Sequence, residues 1–383
     1  MSAPGSTASL RTANQRRVVE ALRAAPESEL SQAEISRATE LAPATVSNIV
    51  KELSAAGFLE FESGSGRRGA IIKIARGAGL VAGVDFGHTH MQIALGDLSG
   101  DVLGTISRPL ANDHDHAEGL ELAGELLDTL LEGQGVDRSV LRAVGMGLPA
   151  PISNDGTLDS GSILPGWVGV NAAVAARAAF GVPTLVDNDA NLGALAESIF
   201  GAGIGRSSMA YLKISSGVGC GLILDGKVFR GGLGTAGEIG HLTMDTNGPL
   251  CRCGSRGCLE AYVGADALIS QFSARQPGIT TAELIALALD GDTGAQRLIE
   301  DAGRYLGRAA AVLANVLGLE LLVIGGDMIA AGDLLLDGVR NGIRRHALET
   351  VAKAVHIERA ALGDQSSAIG SLLFALEAVE LPS

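Results

Sequence analysis

Several short apolar runs of this 383-residue chain end in glycine or in small polar residues, and this feature constrains the fold most. The runs begin at Leu80, Val144, Thr184, Met209 and Leu321, and they alternate with helical segments. Strands that alternate with helices are typical of an α/β protein. Ligands of such folds bind at the strand ends, where glycine lets them approach the backbone. The runs therefore predict an α/β body whose functional residues follow its strands.

The N-terminal segment has a different character. Apolar spacing predicts a helix over residues 14–25, and Ser31 with Glu34 forms a capping box that starts a second, short helix. Pro43 stands at a plausible first position of a third helix. Two strands joined by a glycine-rich basic loop follow. This layout predicts a winged helix-turn-helix domain over residues 1–78.

The third helix places small polar side chains and a lysine opposite its apolar face. Hydroxyl and amide groups can hydrogen-bond base edges or phosphates, and arginines between glycines can enter a narrow minor groove. Residues 1–79 carry a net charge of +2 and the remainder −16, so one copy would bind DNA weakly and a dimer is expected. A module for protein contacts is the alternative. The predicted DNA-contacting residues are Thr45, Ser47, Asn48, Lys51, Arg67 and Arg68.

Three cysteines on one short loop, with a histidine ten residues upstream, form a second constellation. Three sulfurs and an imidazole make a closed tetrahedral set, which is typical of structural zinc. Three reduced, unligated thiols are the alternative, although exposed thiols so close together are prone to oxidation. We predict one structural Zn²⁺ bound by His241, Cys251, Cys253 and Cys258.

Several other classes of protein are not expected from this sequence. No run of about 18 uninterrupted apolar residues occurs, so no helix should span a membrane. The N-terminus lacks the apolar stretch of a secretion signal, and four cysteines do not make a disulfide framework. We expect a cytoplasmic protein. His114 and His116 fall in an acidic polar turn and are expected at the surface or in a loop.

Five motifs of the body occur in an order that resembles the ROK family of repressors, open reading frames and sugar kinases. They are Asp-x-Gly-x-Thr, Asp-Asn-Asp-Ala, Ser-Gly-Val-Gly-Cys-Gly, Glu-Ile-Gly-His and Cys-Arg-Cys-Gly-Ser-Arg-Gly-Cys-Leu-Glu. The motifs begin at Asp85, Asp187, Ser216, Glu238 and Cys251. A winged helix ahead of this body is the arrangement of the ROK repressors.

The resemblance covers about residues 80–383 and implies the two-lobed, actin-like fold that is also seen in hexokinases. It places a sugar-binding domain at 79–383, after the DNA-binding domain. Lobe one would span about 79–190 together with the C-terminal helix, and lobe two about 191–365. The expected fold class is therefore α/β, with a winged helix-turn-helix domain ahead of an actin-like body.

The resemblance also implies roles for individual residues. In the sugar kinases, the aspartate that matches Asp189 accepts the hydroxyl proton of the sugar. Helix caps or turns at Asn188 and Asp189, and a solvated carboxylate at Glu238, are the alternatives. The implied sugar contacts are Asn188, Asp189, Glu238, His241 and Glu260. The implied nucleotide loops, which are degenerate here, hold Asp85, Gly87, Thr89, Ser216, Gly217, Gly325 and Gly326.

The nucleotide loops depart from the pattern of the kinases, which usually read Asp-x-Gly-Gly-Thr-Lys. His88 replaces the second glycine, His90 replaces the lysine, and Asp327 replaces a glycine of the last loop. Bulk and negative charge there weaken a phosphate cradle. We therefore expect no kinase activity.

The resemblance thus favours a sugar-responsive regulator, most simply a repressor of carbohydrate-metabolism genes, that binds a double-stranded DNA operator. The expected partners are a sugar effector bound between the lobes and further copies of the chain in a homodimer or homotetramer. One alternative is a glucokinase-like, ATP-dependent sugar kinase that carries a DNA-binding arm. Another is a regulator whose body binds a protein.

Overall fold

The computed structural model describes residues 7–25, 28–62, 70–87, 90–111, 114–153, 156–158 and 164–382. A small N-terminal unit precedes two five-stranded sheets that are flanked by helices. The predicted α/β class is confirmed. Within the described ranges, no helix is both long and apolar enough to cross a membrane.

The N-terminal unit is a winged helix-turn-helix. The hydroxyl of Ser31 accepts a hydrogen bond from the backbone N–H of Glu34, whose carboxylate accepts one in return, so the capping box is confirmed. The strands form an antiparallel sheet of order β1-β3-β2. The two-residue strand β1 was not predicted, because so short a strand has no readable alternation. The elements are α1 (Thr7–Arg23), β1 (Leu30–Ser31), α2 (Gln32–Thr39), α3 (Pro43–Ala55), β2 (Leu59–Glu62) and β3 (Ile71–Ile74).

The second sheet, called the first-lobe sheet, has the order β6-β5-β4-β7-β8. Strands β4, β7 and β8 run parallel, while β5 and β6 are antiparallel to their neighbours. Strand β4 is buried along its whole length, as a central strand covered on both faces must be. The elements are β4 (Leu80–Phe86), β5 (His90–Asp97), β6 (Val102–Pro109), α4 (His116–Gly133), β7 (Leu141–Leu148), α5 (Ala172–Phe180) and β8 (Thr184–Asn188).

The third sheet, called the second-lobe sheet, has the order β11-β10-β9-β12-β13. Strands β9, β12 and β13 run parallel, and the hairpin of β9 and β10 is antiparallel. The strands are β9 (Met209–Ile214), β10 (Val218–Leu224), β11 (Lys227–Val228), β12 (Leu321–Gly325) and β13 (His356–Arg359). The helices are α6 (Asp189–Phe200), α7 (Glu260–Val263), α8 (Ala265–Phe272), α9 (Thr281–Leu289), α10 (Thr293–Leu317), α11 (Asp333–His346) and α12 (Glu349–Ala354).

The last helix, α13 (Ser366–Ala378), is buried through the middle of the molecule. It packs backbone against backbone, because a Cβ at Gly370 would lie 1.8 Å from the carbonyl oxygen of Leu192 in α6. A Cβ at Gly145 in β7 would similarly lie 1.9 Å from the carbonyl oxygen of Ser371. Residues near the C-terminal end of α13 share a hydrophobic core with α1. Helix α13 therefore connects the first-lobe sheet, α6 and the winged helix domain.

His114 lies in the loop ahead of α4, so the expected loop position is confirmed, but its side chain is buried there. Its ring stacks on Phe86 with 5.8 Å between ring centroids, and its Nε2 accepts a hydrogen bond of 3.3 Å from Trp167 Nε1. Both partners are distant in sequence, and the polar turn around the histidine gave no sign of them. Long-range aromatic packing thus outweighs the local polarity.

Candidate functional site

A cleft between the first-lobe and second-lobe sheets collects most of the predicted site residues. The carboxyl ends of β4, β7, β8, β9 and β12 meet there, as expected for open α/β sheets. The cleft is lined by Gly87, His90, residues 149–151, Asn188, Asp189, Lys213, residues 215–220, Glu238, His241, Glu260 and Asp327.

Asp189 is the first residue of α6, and its carboxylate is held in a buried ion pair. Lys213 Nζ donates a hydrogen bond of 2.7 Å to Asp189 Oδ2 and lies 3.8 Å from Asp85 Oδ2. Burial lowers the pKa of Lys213, but the charges of Asp189 and Asp85 outweigh this and raise it above its ordinary value. Burial raises the pKa of Asp85 to about 6, although Lys213 opposes the shift. The ammonium is therefore a permanent charge at the floor of the cleft.

Asn188 occupies the turn between β8 and α6. Its Oδ1 accepts hydrogen bonds from the backbone N–H groups of Ala190 and Asn191, so it caps α6. Its Nδ2 donates to the carbonyl oxygen of Ala150 across 3.1 Å. The helix-cap alternative thus describes the side chain of Asn188, which stands in the cleft wall beside Asp189. Asp189 makes the ion pair described above instead.

Glu238 precedes a single 3₁₀ turn, Ile239–His241, that ends with His241, so the two residues share no α-helical face. Glu238 Oε2 lies 4.0 Å from His241 Nε2. Burial raises the pKa of Glu238 to about 7, and the nearby carboxylates of Asp189 and Glu260 act in the same direction. The alternative of a fully solvated carboxylate does not describe this residue, because it lines the cleft and is partly buried there.

Glu260, the first residue of α7, joins the cleft to the cysteine loop. Its Oε2 accepts a hydrogen bond from the backbone N–H of Val218, and its Oε1 pairs with Arg252 Nε at 2.9 Å. Arg252 Nη2 also donates to the carbonyl oxygen of Ser216. The cysteine loop therefore fixes both a cleft carboxylate and the turn between β9 and β10.

The predicted metal ligands converge. One potential ligand atom from each of the four residues lies within 4.8 Å of all the others. Cys253 Sγ is 3.7 Å from Cys258 Sγ, and Cys251 Sγ is 3.8 Å from His241 Nδ1. Tetrahedral zinc with Zn–S bonds of about 2.3 Å requires ligand separations of about 3.8 Å. The donor set and its spacing therefore fit a metal ion, and the residues that could hold it are His241, Cys251, Cys253 and Cys258.

The glycine loops of the implied nucleotide side also reach the cleft. Gly87 follows β4, Ser216 and Gly217 form the turn between β9 and β10, and Gly325 and Gly326 end β12. Thr89 and His88 lie outside the described residues. The side chain of Asp327 is exposed at this edge, and its backbone N–H donates to Ser215 Oγ across 3.2 Å. A carboxylate thus stands where the loops converge.

The polar face of α3 is free to contact another molecule. Asn48 and Lys51 are exposed and Thr45 and Ser47 are partly exposed, while the apolar face of the helix packs inside the domain. The two wing arginines, Arg67 and Arg68, lie outside the described residues. Of the predicted DNA-contacting residues, four therefore share the outer side of one helix.

Sequence reasoning missed Lys213, Arg252 and Ser367. Ser367, near the start of α13, accepts a hydrogen bond of 3.0 Å from Lys213 Nζ and donates one to the backbone oxygen of Asp189. A lysine inside an otherwise apolar strand was the available signal for Lys213. No local signal marked Ser367, since its partners are more than 150 residues away.

The fold and the cleft define a two-lobed, hexokinase-like protein with an N-terminal winged helix domain. Comparison with known proteins identifies the family: the chain belongs to the ROK family, whose profile matches residues 81–378. The MarR family profile matches residues 11–69, which contain the helix-turn-helix and strand β2.

Full-length relatives include transcriptional regulators. The xylose repressor of Bacillus spizizenii (strain ATCC 23059 / NRRL B-14472 / W23) is 26% identical over 91% of this chain and 92% of its own length. The DNA-binding transcriptional dual regulator NagC of Escherichia coli (strain K12) is 30% identical, covering 89% and 87%. The chain thus matches both proteins over most of its own length and most of theirs.

Two solved structures resemble the chain over different shares of its length. A ROK family transcriptional regulator, described as a homologue of the E. coli Mlc protein, is 26% identical and superposes with a TM-score of 0.82 over 96% of both chains. A ROK glucokinase from Streptomyces griseus, in complex with glucose and AMPPNP, is 28% identical with a TM-score of 0.69. It covers 78% of this chain and 100% of its own. The regulator therefore matches the whole chain, and the kinase matches less of it.

Proposed function

We propose that this protein is a sugar-responsive, DNA-binding transcriptional regulator, most simply a repressor of carbohydrate-metabolism genes. The observation that carries the proposal is that one chain joins an exposed polar recognition helix to a cleft lined with carboxylates. The xylose repressor and NagC, which the chain matches over most of its length, support it. The operator would be contacted by Thr45, Ser47, Asn48 and Lys51, with Arg67 and Arg68 in the wing.

The effector is a sugar that binds between the lobes against Asn188, Asp189, Glu238, His241 and Glu260. Carboxylates accept hydrogen bonds from hydroxyl groups strongly, and these bonds contribute about 1.5–3 kcal/mol each. We further propose that the sugar is not phosphorylated. The cleft holds several carboxylates, and Lys213 is already paired with two of them, so an added phosphate would meet net negative charge.

One structural Zn²⁺ is bound by His241, Cys251, Cys253 and Cys258. The ligand spacing supports this, as does a donor set that zinc prefers. A bound ion would stiffen the loop that holds Arg252 and leads into Glu260, without taking part in any chemistry. The metal would thereby position one wall of the sugar site.

The chain is a regulator without kinase activity. Asp189, the residue in the position of the kinase base, is paired with Lys213, and Asp327 opposes the phosphates of a nucleotide. A glucokinase-like enzyme with a DNA-binding arm is the second candidate. It is favoured by the glucokinase of Streptomyces griseus, whose fold is shared by the two lobes.

We assign the two proposed activities to separate domains. Residues 1–78 would form the DNA-binding domain and 79–383 the sugar-binding domain. Lobe one would be about 79–190 with the C-terminal helix, and lobe two about 191–365. With a net charge of only +2 on residues 1–79, DNA binding calls for a homodimer or homotetramer. A regulator works where the chromosome lies, which is the cytoplasm in bacteria such as those of the relatives named above.

A thermal-shift panel tests the effector. Five compounds are each tested with and without ATP. They are D-xylose, D-glucose, D-glucose 6-phosphate, N-acetyl-D-glucosamine and N-acetyl-D-glucosamine 6-phosphate. The expected result is a shift with one of the free sugars that does not need ATP, because a ligand stabilises the state that it binds. A shift only with a sugar phosphate overturns the effector class, and a strict need for ATP favours the kinase.

A DNA-binding assay tests the proposed role of the winged helix domain. Lys51→Ala should weaken binding by a similar factor for a selected duplex and for unrelated duplexes. The slope of log affinity against log salt concentration should fall in magnitude by about one unit. Lys353→Ala, which removes an exposed lysine of the second lobe, is the matched control and should leave both unchanged. Equal effects of the two substitutions would place the DNA elsewhere.

A further inference from the structure

The ammonium group of Lys213 is in contact with three parts of the molecule at once. It donates a hydrogen bond of 2.7 Å to Asp189 in the sugar site and one of 3.0 Å to Ser367 Oγ in α13. It also lies 3.8 Å from the carboxylate of Asp85 in the first-lobe sheet. Lys213 itself belongs to β9 of the second-lobe sheet. Two hydrogen bonds and one longer ion pair of a single ammonium thus join both lobes and the C-terminal helix at the floor of the cleft.

Ser367 is bonded to the same cluster twice. Its hydroxyl accepts from Lys213 Nζ and donates to the backbone oxygen of Asp189 across 3.0 Å. The serine is 2% exposed and does not line the cleft, so its contact with a ligand would be indirect. Any reorientation of Asp189 or Lys213 must therefore be accommodated at the start of α13.

Helix α13 has little freedom to absorb such a change locally. The close approaches at Gly370 and Gly145 leave no space for relaxation in the first half of the helix, between Ser367 and the segment that meets α1. Close-packed elements respond to a local shift by moving as units, because their packing has discrete arrangements. Over 13 residues, the helix spans about 20 Å.

The far end of α13 meets the DNA-binding domain. Arg23, the last residue of α1, donates from Nη1 to the carbonyl oxygen of Leu376 across 3.5 Å. Its Nε donates 2.9 Å to the carbonyl oxygen of Leu98, in the turn after β5. Leu376 and Leu373 share a hydrophobic core with Val19 of α1. A displacement of α13 would thus reach the helix that supports α3.

We propose that Lys213 is a positioning residue that reports occupancy of the sugar cleft to the winged helix domain through Ser367 and α13. A sugar hydroxyl that donates to Asp189 competes with Lys213 for the same carboxylate. The ammonium then shifts its balance among Asp189, Asp85 and Ser367, and α13 follows. This inference rests on the proposed function, since it assumes that a sugar binds in the cleft and alters DNA binding.

The test uses the full-length protein and a duplex selected by it from a random-sequence library. The probe is whichever of D-xylose, D-glucose and N-acetyl-D-glucosamine gives the largest thermal shift. Calorimetry measures the sugar affinity, and fluorescence anisotropy measures the DNA affinity with and without sugar. The ratio of the two DNA dissociation constants is the coupling factor, which is typically about 5–150 for allosteric proteins.

Ser367→Ala should keep the sugar dissociation constant within about threefold of wild type and bring the coupling factor to below about 3. Ser371→Ala is the matched control. Ser371 is a buried serine one turn further along α13, and among the residues that the structure describes its hydroxyl donates to the helix backbone at Ser367 alone. This control should keep the wild-type coupling factor.

A second pair of variants tests Lys213 itself. Lys213→Met should lower the coupling factor as Ser367→Ala does, and Lys213→Arg should restore part of it, since the guanidinium keeps the charge and donors. The inference is overturned if Ser367→Ala retains wild-type coupling, or if Ser371→Ala lowers it equally. If no probe sugar changes the DNA affinity of the wild-type protein, the proposed function fails, and this inference fails with it.

Discussion

The two sides of the cleft differ in how completely they are built. On the sugar side, Asp189, Glu238 and Glu260 line the cleft, and each is fixed by its own element or loop. On the nucleotide side, glycine turns are present, but His90 and Asp327 stand at the edge where phosphates would lie. Under the proposed function, the difference teaches that a kinase fold can keep its sugar recognition when its phosphate recognition is lost. Binding a sugar and transferring phosphate place separate demands on the chain.

The largest expected effect comes from removing the support of the sugar side. Cys258→Ser should reduce bound zinc from about one ion per chain to below about 0.2, because a structural site needs all its ligands. Sugar binding should fall with it, since Glu260 follows two residues later. Elemental analysis and calorimetry measure both.

Cys220→Ser is the control for zinc, as Cys220 is buried and lies outside the cluster of four ligands. It should keep one ion per chain. Wild-type protein that is prepared without chelators and still holds less than about 0.2 zinc per chain would contradict the structural metal.

The next effect concerns Asp189. Asp189→Asn keeps the shape of the side chain but removes its charge, so the affinity for the effector should fall about 10- to 150-fold. Calorimetry with the effector sugar measures the loss, and circular dichroism checks that the variant folds although Lys213 loses one of its two carboxylate partners. Wild-type affinity in this variant would show that the sugar side has been placed wrongly.

A smaller gain should follow from repairing the nucleotide side. The triple variant His88→Gly, His90→Lys and Asp327→Gly restores the residues that the kinases usually have. It should bind AMPPNP with a dissociation constant of about 1 mM or below, or about −4 kcal/mol, where the wild-type protein shows no saturation. Saturable binding of AMPPNP by the wild type would break the contrast between the two sides.

A kinase assay tests the same difference between the sugar side and the nucleotide side. In an assay that couples ADP release to a signal, the wild-type protein should show negligible turnover with hexoses and N-acetylhexosamines. Turnover near 1 s⁻¹ or above, within the usual range of about 1–100 s⁻¹ for kinases, would favour the bifunctional alternative. Loss of that turnover in Asp189→Asn would assign it to this cleft.

The smallest expected effect is that of Asp327→Asn on sugar binding. The residue is exposed and makes its hydrogen bond through its backbone, so the sugar affinity should change less than threefold, or about 0.6 kcal/mol. A loss as large as that of Asp189→Asn, measured in the same calorimeter, would mean that the sugar extends into the nucleotide side.

Much of the fold follows from the sequence, because its signals are local. The capping box at Ser31, the proline that starts α3 and the apolar runs that end in glycine all predicted elements that are present. The cysteine loop was readable for the same reason, since three of its four ligands lie within eight positions.

The rest of the site depends on contacts that are distant in the chain. Lys213 meets Ser367 and Asp85 only after both lobes have formed, and no pattern marks Ser367 or links Asp85 to the lysine. The burial of His114 was not predicted, because Trp167, 53 residues away, completes its environment. Burial of polar groups is set by such long-range packing, which spacing along the chain does not encode.

The most direct test of the central claim measures DNA affinity with and without sugar in the absence of nucleotide. Fluorescence anisotropy with a selected duplex should show that a saturating free sugar weakens DNA binding about 5- to 150-fold, with the same factor when ATP is added. By reciprocity, the DNA complex should bind that sugar more weakly by the same factor. Unchanged DNA affinity when calorimetry shows the sugar bound, or a change that appears only with ATP, would contradict the account.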